Sequence, residues 1–533
     1  MLPPGVDPNR TPIQMQRQRS GPSLGAIGVL AGLMICGATA ATGQTVTRAQ
    51  VEARLPALEA MAQRAVETGE APGLAVAVVL GDETVFLKGF GLRERGRPET
   101  VDADTVFQIA SLSKPVTATV VAALVGAGVA GWDRPVADLD PTFRLQDPYP
   151  AAQVTVRDFL THRSGLPGGA GNDLEAIGYG QDAILRRLRL VPPSSSFRAG
   201  YSYSNFGYTE GALAAARPTG KSWEAVARER LFDPLGMAAT STTHDGFLSR
   251  RNRAALHVRI GDAWTARVKR DADAQAPAGG ISSTVRDLAR WVRLELGEGR
   301  FEGRPVVAAS ALAETHAPLT ARGRNPVTGA ASFYGLGWNV EFGRHGLVWG
   351  HAGAFSAGAQ TLVSLHPGAR LGVVVLTNAF PSGVPEGLAD SLMDLVFDGR
   401  VGRDWVREWG EAYRGLFGPA IAATRAAYAT PPSPATAALP LAAYAGRYAN
   451  AYVGTAVVAE AGGALTLTLG PDGARTYPLR HFDRDLFLSY PDAETPDLPS
   501  AVRFAVGPAG RAETVTLEPL DASGLGTLAR ETE

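Results

Sequence analysis

The amino-acid sequence predicts an α+β body followed by a smaller, all-β domain. From residue 45 to about 400, helical and strand-like segments alternate around many glycines, as in a mixed helix-and-sheet domain. Residues 401–440 combine an aromatic, amphipathic segment with the run Pro431-Pro432-Ser433-Pro434, which is typical of a linker. Residues 441–533 then change to short alternating apolar runs between Gly, Pro and Asp turns, which indicates antiparallel strands.

Residues 1–44 have the pattern of an export signal rather than of a folded segment. Arg17 and Arg19 precede an uncharged stretch from Leu24 to Cys36, and Ala38-Thr39-Ala40 offers the small residues at which a signal peptidase cleaves. An uncleaved membrane anchor is the alternative, although no later apolar segment approaches membrane-spanning length. We therefore expect an exported protein, periplasmic or secreted, without a stable membrane span once the signal is removed.

Composition excludes several classes of function. The 533 residues carry a formal net charge of −1 and no basic run, so we expect no nucleic-acid partner. Cys36 is the only cysteine, which rules out disulfides, cysteine-ligated zinc and thiol catalysis in the mature chain. The histidines show no metal-ligand spacing, and we expect neither a metal nor an organic cofactor.

The local pattern predicts elements at both ends of the mature chain. Apolar residues repeat at helical spacing over 51–65 until Gly69, and the apolar runs Gly73–Leu80 and Thr84–Gly89 predict a β-hairpin. The C-terminal runs predict strands of an antiparallel barrel or sandwich. These runs are Thr455–Val458, Leu465–Leu469, Leu486–Leu488, Val502–Val506 and Thr514–Leu517.

The strongest chemical signal is the tetrapeptide Ser111-Leu112-Ser113-Lys114. Lys114 is one of only four lysines among 51 lysines and arginines, and a buried lysine, unlike arginine, can lose its proton and act as a base. Residues three apart on a helix share a face, and the apolar run up to Gly126 predicts a helix here. Ser111 is therefore a candidate nucleophile with Lys114 as its base. The alternative is an N-cap serine followed by an ordinary lysine.

A second cluster lies at Tyr201-Ser202-Tyr203-Ser204-Asn205. One residue separates Tyr203 from Asn205, so an extended segment directs both side chains to the same side. A tyrosine near a cationic lysine can ionise and act as a base, and the Asn205 amide can hold Lys114 and a substrate carbonyl. The alternative is a turn with a packed aromatic residue.

A third cluster is His351-Ala352-Gly353-Ala354. Small residues after a polar one favour an edge strand against which a substrate backbone can lie. The N–H groups of Ala354 and Ser111 would form an oxyanion hole, with Gly353 and His351 beside the substrate. The alternative is a histidine at a glycine-rich turn.

Together these three motifs resemble the serine β-lactamase/penicillin-binding-protein superfamily, in particular class C β-lactamases, family VIII esterases and D-aminopeptidases. The resemblance covers about 50–395 and includes the segments Asp158–Pro167 and Tyr334–Trp338. It implies an antiparallel sheet flanked by helices beside a helical lobe. It also implies that Ser111, Lys114 and Tyr203 are catalytic, with Asn205, His351, Gly353 and Ala354 binding the substrate or its oxyanion.

The C-terminal domain is similar, more loosely, to the lipocalin-like barrels that follow some peptidases of this superfamily. The sequence departs from the pattern of the superfamily at His351. Class C β-lactamases and penicillin-binding proteins carry a lysine there, which binds a substrate carboxylate.

We therefore expect an exported serine hydrolase, an esterase or peptidase, forming an acyl-enzyme with a small ester or with a peptide or amide that can contain D-amino acids. A β-lactam-hydrolysing enzyme or a penicillin-binding sensor is the alternative. A third interpretation is a catalytically silent scaffold that binds a partner through its barrel. The sequence also allows an oligomer.

Overall fold

A computed structural model describes residues 46–532, except 262 and 492–494. The predicted export signal at 1–44 lies outside the described residues. Within the part of the chain that the structure describes, we found no helix both long and apolar enough to cross a membrane.

Helices occur throughout the body and once after it. The predicted helix over 51–65 is divided into two. The helix is interrupted at Ala53–Arg54, and a second helix begins with Pro56 in its first turn. The helices are α1 Arg48–Glu52, α2 Leu55–Glu67, α3 Ser113–Gly126, α4 Val136–Leu139, α5 Pro148–Gln153, α6 Val156–Leu160, α7 Asn172–Ala176, α8 Gln181–Arg187, α9 Asn205–Ala216, α10 Trp223–Ala227, α11 Asp233–Leu235, α12 His244–Leu248, α13 Ala276–Gly279, α14 Val285–Leu296, α15 Ala309–Thr315, α16 Val384–Phe397 and α17 Trp405–Ala427.

The strands of the body form one large antiparallel sheet and three small ones. The strands are β1 Gly73–Leu80, β2 Glu83–Gly91, β3 Phe107–Gln108, β4 His257–Ile260, β5 Ala263–Thr265, β6 Ser282–Ser283, β7 Arg300–Phe301, β8 Arg304–Pro305, β9 Thr320–Arg324, β10 Ala331–Tyr334, β11 Asn339–Gly343, β12 Gly346–Phe355, β13 Ala359–His366, β14 Leu371–Thr377 and β15 Ala379–Phe380. The large sheet has the strand order β2-β1-β14-β13-β12-β11-β10-β9. The predicted hairpin is its β1–β2 pair, with Ala77 opposite Leu87.

Helices cover both faces of this sheet, which explains why β1 is apolar at nearly every position. Val76 and Val78 face one cluster of buried residues that includes Leu58 of α2 and Leu388 of α16. Ala75 and Ala77 face the larger cluster, which includes Val120 of α3. A strand buried on both faces loses the apolar–polar alternation that marks a half-exposed strand. The body therefore has the predicted α+β architecture.

The chain after α17 forms a closed antiparallel barrel. Its strands are β16 Gly446–Asn450, β17 Gly454–Ala461, β18 Ala464–Leu469, β19 Arg475–Asp483, β20 Leu486–Ser489, β21 Ser500–Val506, β22 Ala512–Leu517 and β23 Thr527–Arg530. The barrel closes where Tyr448 pairs with Arg530. The five predicted runs lie in β17, β18, β20, β21 and β22. The sequence did not predict β16, β19 and β23, and in β19 Pro478 and the charged residues interrupt the apolar alternation.

Candidate active site

The turn that carries Ser111 is a short 3₁₀ helix, Ala110–Leu112, which leads into α3. Ala110 has a φ of 49°, a backbone conformation that non-glycine residues adopt only when their surroundings hold them there. Neighbouring elements supply that constraint. The N–H of Ile109 donates to the carbonyl of Ile281 at 3.0 Å, and the hydroxyl of Thr361 donates to the carbonyl of Ile109 at 2.8 Å. Ser111 is thus fixed and partly exposed.

Lys114, the second residue of α3, is fully buried. Its Nζ lies 3.2 Å from Oγ of Ser111, 2.7 Å from Oδ1 of Asn205 and 3.0 Å from the carbonyl oxygen of Ala278. Burial lowers the pKa of Lys114 well below its ordinary value. A neutral amine has two N–H donors and one lone pair. The two oxygen acceptors use the donors, and the lone pair is left for the proton of Ser111.

Asn205 is the first residue of α9, not part of an extended segment as the sequence suggested. The hydroxyl of Ser204 caps this helix by accepting from the N–H of Gly207 at 3.1 Å. The N–H of Ser204 donates to Nδ1 of His162, also at 3.1 Å. These bonds fix the start of the helix and direct the Asn205 amide toward Lys114.

Tyr203 lies on the other side of the lysine, with its ring centroid 4.4 Å from Nζ of Lys114. Burial raises the pKa of Tyr203, and a hydrogen bond with Ser111 opposes that shift only in part. The lowered pKa of Lys114 and the raised pKa of Tyr203 both favour a protonated phenol beside a neutral amine. This charge distribution favours Lys114 as the base and disfavours the ionised tyrosine that the sequence left open.

His351 is buried, and both of its ring nitrogens are occupied by protein groups. Nδ1 lies 2.6 Å from the carbonyl oxygen of Ala352 and must donate to it. Nε2 lies 2.9 Å from the hydroxyl of Tyr334 and accepts from it. Burial is the main cause that lowers the pKa of His351 to about 3. The ring is therefore neutral and offers no positive charge to a substrate carboxylate.

The strand that carries Gly353 and Ala354 passes directly beside the serine turn. A Cβ atom at Gly353 would lie 2.2 Å from the carbonyl oxygen of Ile109 and 2.8 Å from the backbone nitrogen of Leu112, so only glycine fits. Strand β12 pairs with β11 only over Gly346–Gly350. Residues 351–355 pair with β13 alone among the described strands. β12 is an inner strand of the sheet, but this half of it has a free edge beside Ser111.

Sequence reasoning missed several contributors to the site. The carbonyl of Ala278 gave no signal because a backbone oxygen belongs to every residue. Tyr334 was noted only as part of a resembling segment. Asn172 lies near Asn205, with its Oδ1 3.5 Å from Nδ2 of Asn205. No pattern in the sequence connects this residue with the motif at 201–205.

One group of side chains has a geometry that could hold a metal ion. Ligand atoms of His345, Asp394 and Asp398 lie within 4.8 Å of one another. Arg344 already forms salt bridges with both carboxylates. His345 precedes the first residue of β12, whereas Gly353 lies near its end, so these ligands belong to a different part of the sheet from the serine.

Comparison with known proteins identifies the family. The family model described as Beta-lactamase matches residues 58–396, which is more than half of the chain. The chain belongs to the Beta-lactamase family. A second family model, described as a domain of unknown function, matches residues 430–527 and so includes most of the barrel.

Relatives within the Beta-lactamase family include hydrolases. Unguisins hydrolase ungD' of Aspergillus campestris is 28% identical over 408 residues, which cover 71% of this chain and 72% of that protein. Penicillin-binding protein 4 of Amycolatopsis lactamdurans is 29% identical over 58% of this chain and 81% of its own length. The D-alanyl-D-alanine-carboxypeptidase/endopeptidase AmpH of Escherichia coli is 25% identical, with coverages of 61% and 84%. The chain is therefore a serine hydrolase.

The fold is shared with the solved structure of a penicillin-binding protein homologue. The octameric penicillin-binding protein homologue from Pyrococcus abyssi superposes with a TM-score of 0.55 at 19% identity, covering 87% of this chain and 98% of that one. The likeness confirms the predicted β-lactamase/transpeptidase-like fold. The closed C-terminal barrel fits the expected lipocalin-like domain.

Proposed function

We propose that this chain is an exported serine hydrolase that forms an acyl-enzyme at Ser111 with small esters or with peptides and amides, including those with D-amino acids. The observation that carries the proposal is the environment of Lys114. A fully buried amine faces the serine hydroxyl, while two oxygen acceptors hold its N–H groups. No purely structural role requires a neutral lysine beside a partly exposed serine.

Acylation begins when Lys114 takes the proton of Ser111 and Oγ attacks the substrate carbonyl carbon. The N–H groups of Ser111 and Ala354 stabilise the resulting oxyanion. Tyr203, which holds its proton, donates it to the leaving alcohol or amine and recovers a proton from Lys114. The carbon–heteroatom bond breaks, and the acyl group remains on Ser111.

Deacylation uses the same residues in the same roles. Lys114 takes a proton from a water molecule, which attacks the acyl carbon. The bond to Oγ breaks, protonated Lys114 returns the proton to Oγ of Ser111 and is neutral again, and the carboxylic acid product leaves. Asn205 holds Lys114 throughout and can bind the substrate carbonyl through its amide.

The substrate class is inferred from the site and from the names of relatives. AmpH is named as a D-alanyl-D-alanine carboxypeptidase and endopeptidase, and ungD' as a hydrolase of unguisins. The name of AmpH favours peptide-type acyl donors. The neutral His351 removes the positive charge that would hold a β-lactam carboxylate, which disfavours efficient turnover of β-lactams.

The test is a turnover assay on a small panel of p-nitrophenyl esters, D-amino-acid p-nitroanilides and nitrocefin. We expect turnover of esters or D-amino-acid amides, little turnover of nitrocefin, and no activity in Ser111→Ala. The exposed Ser249→Ala is the control and should match the wild type. Activity retained in a folded Ser111→Ala protein, or stable penicillin labelling without any turnover, would contradict the proposal. Secretion of the full chain from a bacterial host, with cleavage near Ala40, tests export separately.

A further inference from the structure

The turn between β16 and β17 is one of the places where the barrel contacts the body. Tyr452 lies in this turn and is 3% exposed. Its hydroxyl donates to Oδ1 of Asp173 at 2.6 Å. Asn450 shapes the turn, because its Oδ1 accepts from the backbone N–H groups of Tyr452 and Val453 at 3.0 and 2.6 Å. Tyr452 is therefore held rigidly against the start of α7.

The barrel also holds the other end of the same body segment. Ile177 is buried at the mouth of the barrel, where only about 30 Å³ of free space remains around it. A Cβ atom at Gly470 would lie 2.1 Å from the carbonyl oxygen of Ile177, so the backbones are in direct contact. The hydroxyl of Tyr179 donates to the carbonyl of Val453 at 2.8 Å. The barrel thus contacts both α7 and the residues that follow it, up to Tyr179.

This segment contacts both elements that supply oxygen acceptors to the amine of Lys114. Asn172, in the first turn of α7, lies against the Asn205 amide, whose Oδ1 holds Nζ of Lys114. Glu175, one turn later, accepts a hydrogen bond from Gln275. Gln275 immediately precedes α13, the helix that carries the carbonyl of Ala278. A shift of α7 would therefore displace both acceptors of the lysine.

We propose that the C-terminal barrel positions the catalytic lysine through α7, and that Tyr452 is the positioning residue that makes this connection. The inference rests on the proposed function, since it concerns the geometry of the same Ser111–Lys114 pair. Tyr452 touches no reacting atom. It fixes Asp173, and through the adjoining Asn172 it fixes the amide that orients Lys114.

The first test compares Tyr452→Phe with Tyr448→Phe in the full chain, using a small activated ester as substrate. Tyr448 is also buried, and its hydroxyl donates within the barrel, to the carbonyl of Tyr444 at 2.6 Å. We expect kcat of Tyr452→Phe to fall about tenfold with KM within about twofold, as for a residue coupled to the site rather than bound to substrate. Tyr448→Phe should keep wild-type kcat even if its melting temperature falls. Equal kcat values in the two variants would overturn the proposal.

The second test uses rescue at the partner residue. Asp173→Asn keeps an oxygen that accepts from Tyr452, and it should retain most of the wild-type kcat. Asp173→Ala should lose as much as Tyr452→Phe, and the double variant should lose no more than either single one, because all three break the same contact. Additive losses would show that the two residues act separately and would overturn the proposal. Ser111→Ala separates a failure of this inference from a failure of the proposed function. If Ser111→Ala is inactive, the proposed function is upheld even when Tyr452→Phe is fully active.

Discussion

The hydroxyl of Tyr334 donates a hydrogen bond of 2.9 Å to Nε2 of His351. This bond fixes the tautomer of the ring, because Nδ1 must then carry the proton that it donates to the carbonyl of Ala352. The position where penicillin-binding proteins carry a charged lysine is here a neutral, fully hydrogen-bonded ring. We infer that His351 supports the strand beside the serine rather than holding a substrate carboxylate.

Tyr334→Phe should destabilise the protein by about 1–3 kcal/mol, because it leaves the buried Nε2 of His351 without a donor. Urea unfolding followed by circular dichroism measures this change. Tyr149→Phe is the control, since Tyr149 is 67% exposed, and its stability should match the wild type. A free energy of unfolding unchanged in Tyr334→Phe would mean that the bond contributes nothing.

Lys114→Arg should be nearly as damaging as Lys114→Ala, with kcat reduced roughly 10²–10⁴-fold in both, since arginine cannot accept the serine proton. Steady-state assays on an activated ester give the values. Lys88→Arg is the matched control, because Lys88 is a surface lysine paired with Glu59. Near-normal turnover by Lys114→Arg would show that the lysine acts only through its charge.

The pH–rate profile should contain one ascending limb followed by a plateau. Protonated Lys114 is inactive, so kcat/KM rises as the pH rises through its lowered pKa. Because the pKa of Tyr203 is raised, the tyrosine keeps its proton and the plateau continues through about pH 10, where free tyrosine would ionise. Measurements on a buffered series, corrected for spontaneous ester hydrolysis, check both parts. A fall in rate beginning below about pH 9 would contradict the assignment of the proton to Tyr203.

Gly353→Ala should reduce kcat about 10²–10³-fold, the usual effect of losing an oxyanion donor, because its Cβ would push β12 away from the serine turn. Gly343→Ala, on the neighbouring strand β11, is the control. A Cβ there would lie 3.7 Å from Ala330, an ordinary contact. If Gly353→Ala kept full activity, the close approach of strand and turn would have no catalytic role.

Much of the fold could be predicted because periodicity and turn residues are local signals. The β1–β2 hairpin and the end of α3 at Gly126 were predicted correctly. The sheet order could not be predicted, since β1 pairs with β14 across almost 300 residues and its uniformly apolar sequence fits any inner position. The break between α1 and α2 was missed because both sides keep the same apolar spacing.

The site was predictable where side-chain chemistry is distinctive, and not where the backbone or a distant element contributes. Ser111, Lys114, Tyr203 and Asn205 come together as their residue types suggested. Their catalytic roles stay predictions until the variants are measured. The contact between Tyr452 and Asp173 could not be predicted, because a tyrosine in a barrel turn has no local feature that connects it with α7. The Pro-rich segment before the barrel is typical of a linker, whereas the contacts of Tyr452 and Val453 tie the barrel to the body.

The most direct test of the account is to identify the residue that becomes acylated. The protein would be quenched with acid during turnover of a slow ester, or labelled with a fluorophosphonate, and then analysed by intact-mass and peptide mass spectrometry. We predict one adduct per chain, located on Ser111, absent in Ser111→Ala and strongly reduced in Lys114→Ala. An adduct on any other residue, or labelling of Ser111 that does not depend on Lys114, would contradict the central claim that this lysine activates this serine.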